Sequence, residues 1–120
     1  MYRFEWNYKG IVDQTTFDKL VEDCRNTEVG VNYEQMARLF YKGKNMTVMI
    51  ELQIPTKDMI DLTEEDEMIW LDAYEVEHLE DYDVSNEVYT GIGNGEIITY
   101  DNAEQKMLEL AKALDICMVR

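Results

Sequence analysis

Between Asp58 and Glu104 the chain carries Asp58, Asp61, Glu64, Glu65, Asp66, Glu67, Asp72, Glu75, Glu77, Glu80, Asp81, Asp83, Glu87, Glu96, Asp101 and Glu104, and not one lysine or arginine. All 11 bases of the chain lie outside this stretch, where they balance the remaining acids to within one charge, so the net charge of −15 arises inside it. Any fold must keep these carboxylates near water and tolerate their mutual repulsion. Met59, Ile60, Leu62, Met68, Ile69, Trp70, Tyr74, Tyr82 and Tyr89 are interleaved with them. Acidic disordered segments are poor in aromatics, so the stretch is expected to fold rather than trail as a tail.

The 120 residues fit one globular domain, 1–120, with an acidic surface from about 58 to 104. Tyr2, Phe4, Trp6 and Tyr8 alternate with Arg3, Glu5 and Asn7. That period of two marks a strand with an aromatic face. Asp13 to Thr16 offer N-cap residues ahead of Phe17, Leu20, Val21 and Cys24 at helical spacing, which predicts a helix to about Arg25. Asn32 and Gln35 outline a capping box before Tyr33, Met36, Ala37, Phe40 and Tyr41, predicting a second helix that Gly43 stops. Val48, Ile50, Leu52 and Ile54 then alternate with Thr47, Met49, Glu51 and Gln53 in the clearest strand pattern of the chain, and Pro55 ends it.

Thr63 and Asp66 open a further helix expected over Glu64–Tyr74, while Glu75–Asp83 fits helix and strand equally. Asn94-Gly95 between Val88–Ile92 and Glu96–Tyr100 is a hairpin signal. Asp101 and Glu104 outline a last capping box, before Met107, Leu110, Ala111 and Leu114. The order β-α-α-β-α-β-β-α implies an α+β fold, a mainly antiparallel sheet with helices packed on one face. The opening Met1–Trp6 holds no basic segment before an apolar run, and aliphatic runs reach only about four residues, far short of a membrane span. The expectation is a cytoplasmic protein without a membrane partner. Cys24 and Cys117 share no motif spacing and read as reduced core thiols.

No catalytic constellation emerges. His78, Asp81, Asp83 and Ser85 could be written as a triad, but a short acidic connector would have to become a rigid, desolvated site. Asp81, Asp83, Ser85 and Glu87 alternate as calcium ligands do, yet Asn86 stands where the loop needs glycine and Ile92 where it needs glutamate. They are weak metal candidates only. His78, Cys24 and Cys117 lack zinc spacing. Gly91-x-Gly93-x-Gly95 leads into a strand rather than a helix and has no lysine, which excludes a phosphate loop. The bases of the first part, Arg38, Lys42 and Lys44 among them, are interspersed with acids, so no nucleic-acid footprint forms. No cofactor is expected.

What remains is the acidic stretch. Ordinary surfaces mix both signs, and aromatics with methionine enrich interface cores while complementary charge steers encounter. The reading is a non-enzymatic binding protein that lays Glu64, Glu65, Asp66, Glu67, Asp72, Glu75, Glu77, Glu80, Asp81, Asp83, Trp70 and Tyr82 on the basic, nucleic-acid-binding groove of a protein partner. In size, charge and lack of catalytic motifs the chain is similar to phage-encoded inhibitors of host defence, such as anti-CRISPR and anti-restriction proteins. That similarity implies nucleic-acid mimicry in a host cytoplasm. A small regulatory or assembly subunit that oligomerises through its apolar residues is the alternative, and a small-molecule or divalent-metal binder the third.

Overall fold

The alternating run that Pro55 closes becomes the middle strand of a five-stranded antiparallel sheet. The computed structural model describes residues 1–26, 33–56, 69–77, 86–92 and 98–117. They form β1 (Tyr2–Trp6), α1 (Gln14–Arg25), β2 (Tyr33–Lys42), β3 (Thr47–Pro55), β4 (Trp70–Glu75), β5 (Asn86–Ile92) and α2 (Ala103–Cys117). The strands lie in the order β1-β2-β3-β4-β5, each antiparallel to its neighbours. The class is α+β. Among the described residues no helix is long and apolar enough to cross a membrane.

Because side chains alternate across a strand, β3 sends Val48, Ile50, Leu52 and Ile54 to one face. Leu39, Leu71 and Ala73 join them there, and both helices cover that face. α1 contributes Phe17, Val21 and Cys24, spaced one helical turn apart. α2 contributes Ala103, Met107, Leu108 and Ala111. The aromatic face of β1 closes one side: Trp6 lies edge-on to Phe4 and Phe17, with ring centroids 5.2 and 5.9 Å away, and stacks on Tyr100 at 5.5 Å.

α1 begins where its cap residues require. Asp13 Oδ1 accepts from the Thr16 N–H at 2.9 Å and Thr16 Oγ1 accepts from the Asp13 N–H at 3.2 Å, a closed capping box. The start of α2 is set further upstream than Asp101 and Glu104 suggest. Thr99 Oγ1 accepts from the Asn102 N–H at 3.2 Å and Asn102 Oδ1 accepts from the Thr99 N–H at 2.7 Å. The reciprocal pair is Thr99 and Asn102, so Asp101 is left in the turn rather than at the cap.

Two expected helices are strands. The segment at 33–42 reads as helical because Tyr33, Met36, Ala37, Phe40 and Tyr41 recur at three and four, but it pairs on both sides as β2. A bulge at Met36 explains the disguise. Gln35 pairs with Gln53 and Ala37 with Leu52, so Met36 is an extra residue that shifts the phase of alternation by one. The Asn7 N–H donates to the bulge carbonyl of Met36 at 2.7 Å, which satisfies it. Apolar residues on β2 also serve both faces, Leu39 against the helices and Phe40 in a smaller cluster with Met49 and Val76 on the other side. Trp70–Tyr74, expected to end a helix, is β4 for the same reason: Leu71 and Ala73 point to the helices and Tyr74 to the second cluster. Glu75 is its last residue, and the Val76 N–H still reaches the Thr47 carbonyl at 3.0 Å. The Glu64–Met68 part of that expected helix lies outside the described residues. So does most of the expected hairpin turn; its first arm is β5, paired with β4, and Ile98–Tyr100 of its second arm is not strand.

Asp115 locks the helix layer to the sheet. It continues the inward stripe of α2 and accepts from three successive backbone N–H groups of the β2–β3 turn, Lys44 at 3.0 Å, Asn45 at 2.7 Å and Met46 at 3.0 Å. Asn45 Nδ2 returns a bond to the Asp115 carbonyl at 2.8 Å. Those N–H groups, the Asn45 one foremost, hold the carboxyl below the usual range, against a smaller opposing effect of burial. Gly43 is required beside it, since a Cβ at 43 would fall on the Asp115 carboxyl group.

Candidate functional site

The fold divides the base-free stretch: part of it forms two strands at one edge of the sheet, while Tyr100–Glu104 returns to β1 at the other, Tyr100 stacking on Trp6 and Glu104 accepting from the Tyr2 hydroxyl at 2.7 Å. The base-free stretch supplies β4 and β5, which are neighbours and include one edge of the sheet. Arg3, Arg38 and Lys42 stand on β1 and β2, toward the opposite edge, with Lys44 in the β2–β3 turn. β4 and β5 carry acids alone, Asp72, Glu75 and Glu87, whereas β1 and β2 carry both signs.

Of the acids expected at the interface, Glu75 is half-buried at the end of β4 and Glu77 is exposed just beyond it. Asp72 is placed otherwise. It is 7% exposed, pairs in register with Glu51 of β3 and Thr90 of β5, and accepts from the Tyr74 hydroxyl at 3.5 Å. Trp70 is half-buried at the start of the same strand. The structure thus brings Trp70, Asp72, Glu75 and Glu77 onto one strand and its exit. Glu64, Glu65, Asp66, Glu67, Glu80, Asp81, Tyr82 and Asp83 lie outside the described residues, as do His78 and Ser85. Glu87, the last of the weak metal candidates, lies on β5 opposite Tyr74. Among the described residues no group of three or more His, Cys, Asp or Glu side chains could hold a metal ion.

The sequence pattern missed a charged row. Glu5, Arg38, Glu51 and Asp72 fall in register across four strands, on the face turned away from the helices, and the backbone of Asp72 pairs on with Thr90 of β5. Arg38 Nε lies 3.9 Å from Glu51 Oε1, and Arg38 Nη2 donates to Gln35 Oε1. Gln53 Nε2 donates to Glu51 Oε2 at 2.8 Å. One position along, the Arg3 guanidinium sits 4.4 Å from the centre of the Phe40 ring. Glu51 and Gln53 are each 6% exposed. Alternation correctly sets these polar residues opposite Ile50, Leu52 and Ile54, but a polar face in a pattern of two is ordinarily read as solvated. The register, which no single strand reveals, is what assembles the row.

A second polar group sits on the helix side. The Tyr8 hydroxyl donates to Glu34 Oε2 at 2.6 Å, and burial with that bond raises the phenol well above its ordinary range. Burial, with Glu34 and Asp23 nearby, pushes the Cys24 thiol up to about 11. Cys24 is therefore a protonated core thiol at neutral pH. Cys117, expected beside it in the core, is exposed at the end of α2, because helix continues to that residue and carries it past the packed stripe. No known protein family, curated protein or solved structure matches the chain.

Proposed function

We propose that the protein is a non-enzymatic, acidic binding protein that docks its β4–β5 half on the basic, nucleic-acid-binding surface of a protein partner and occludes it. The observation that supports this reading is that two adjacent strands at one edge of the sheet, β4 and β5, come from a stretch without a lysine or arginine. Carboxylates gathered on one side repel one another and destabilise the fold, while a cationic groove offsets that repulsion and is drawn to it at long range. The large apolar side chains exposed among the described residues are Met1, Tyr2, Val12 and Ile116, all outside the acidic stretch. Asp72, being buried, supports the sheet beneath the docking surface in this reading, and Glu75 and Glu77 contribute to the surface itself.

The test is affinity capture from cell lysate at low and high salt with the tagged full chain, followed by mass spectrometry and by competition with duplex DNA and RNA. The reading expects partners that are released steeply as salt rises and that lose nucleic-acid binding when the protein is added. A salt-insensitive partner that keeps its nucleic acid contradicts it.

A further inference from the structure

A concave site lies on the other half of the molecule, where the turn after β1 meets the first turns of α1. Its volume is about 320 Å³, the lower end of the range in which proteins bind small molecules. Its walls are mostly apolar, from Tyr8, Ile11 and Leu20, and Lys9, Lys19 and Asp23 also line it. We propose that this cleft binds a small amphipathic carboxylate, with the apolar body against Tyr8, Ile11 and Leu20 and the carboxylate at Lys9 and Lys19.

Three observations support this. The walls are pre-set rather than loose: the Ile11 N–H bonds the Tyr8 carbonyl at 3.3 Å, the Tyr8 hydroxyl is pinned to Glu34, and the Asp13–Thr16 capping box fixes the helix start. A cleft already in its binding shape loses less entropy on binding. The lining residues also carry an excess of positive charge, Lys9 and Lys19 against the single carboxylate Asp23, which lies 3.5 Å from Lys19 Nζ. The neutral polar groups of the lining are already engaged: the Tyr8 hydroxyl donates to Glu34, and Thr16 Oγ1 accepts from the Val12 N–H at 3.0 Å and from the Asp13 N–H. Recognition is left to apolar contact and the two lysines. The apolar walls disfavour a bare inorganic anion.

The experiment is an amide-shift NMR titration of the full chain with octanoate, octanamide and octylammonium. Octanoate is expected to give saturable shifts confined to residues 8–11 and 16–23, with octanamide and octylammonium at least about tenfold weaker, a difference of about 1.4 kcal/mol. Gly10 lines the cleft and a Cβ there meets nothing within 4 Å, so Gly10→Phe adds a bulky group at its wall without displacing backbone and is expected to weaken the shifts. The double variant Lys9→Gln/Lys19→Gln, at two exposed positions, is expected to do the same and keeps the test available should the glycine variant not fold. Absence of saturable shifts, equal binding of the three compounds, or octanoate binding unchanged in the lysine variant overturns the proposal. None of these results bears on the acidic half.

Discussion

Asp115 is an acid near the C-terminus of a helix, where the helix dipole disfavours negative charge. It is held there by the three N–H groups of the β2–β3 turn. Its folded-state pKa is lowered, so its contribution to stability is complete above the unfolded value of about 3.9 and is lost as pH falls through the folded value. The melting temperature of Asp115→Asn is therefore expected to fall below that of the wild type at pH 7, with the gap narrowing only below about pH 4. A gap that stays constant into acid would show that the carboxylate charge plays no part. Gly43→Ala is expected to destabilise by about 1–3 kcal/mol, because the added methyl displaces the same carboxyl group. The cysteines supply a second check at this scale. Native protein is expected to show one thiol, Cys117, that reacts with a thiol reagent at an ordinary rate, and a second, Cys24, at least about 100-fold slower until denaturant is added. The burial of Cys24 could be read from its place in the stripe with Phe17 and Val21. The exposure of Cys117 could not, since it depends on where α2 stops following the sheet. Asp115 was equally hidden, because its partners lie about seventy positions away in sequence.

At the scale of elements, the capped helix α1 is the most local structure in the molecule. Asp13→Ala removes one side of its capping box and is expected to cost about 1 kcal/mol, read as a shift in the midpoint of denaturant unfolding with an unchanged slope. β1, α1 and β3 were legible because their residue types keep the period of their own geometry, apolar against polar along β3 even though both of its faces are buried. β2 and β4 were not, and the cause is physical. Both set apolar residues on the two faces in turn, Leu39 and Phe40 on β2 and Ala73 and Tyr74 on β4, so the polar positions that reveal a period of two are few. The bulge at Met36 then breaks what alternation remained and leaves apolar residues at helical intervals. The charged row shares this origin, since Glu5, Arg38, Glu51 and Asp72 meet only through the pairing of four strands.

At the scale of the whole molecule, the acids of residues 58–104 are separated in sequence from every base, and the two strands this stretch supplies carry acids alone. A net charge of −15 destabilises the compact state through self-repulsion, so added salt is expected to raise the melting temperature between about 20 and 300 mM. A melting temperature that falls with salt would mean that the carboxylates are mostly paired. Separation, rather than net charge alone, is the central claim, and a comparison of two variants of identical net charge isolates it. Glu75→Lys/Glu77→Lys changes the exit of β4, in the base-free half, and Asp18→Lys/Glu22→Lys changes the exposed side of α1 by the same amount. The deciding measurement is the dissociation constant of each variant for the captured partner at low salt. The account predicts at least about a tenfold loss for the Glu75/Glu77 variant, chiefly in association rate and shrinking in high salt, with little change for the Asp18/Glu22 variant. Equal loss in the two variants, or none in either, would contradict it.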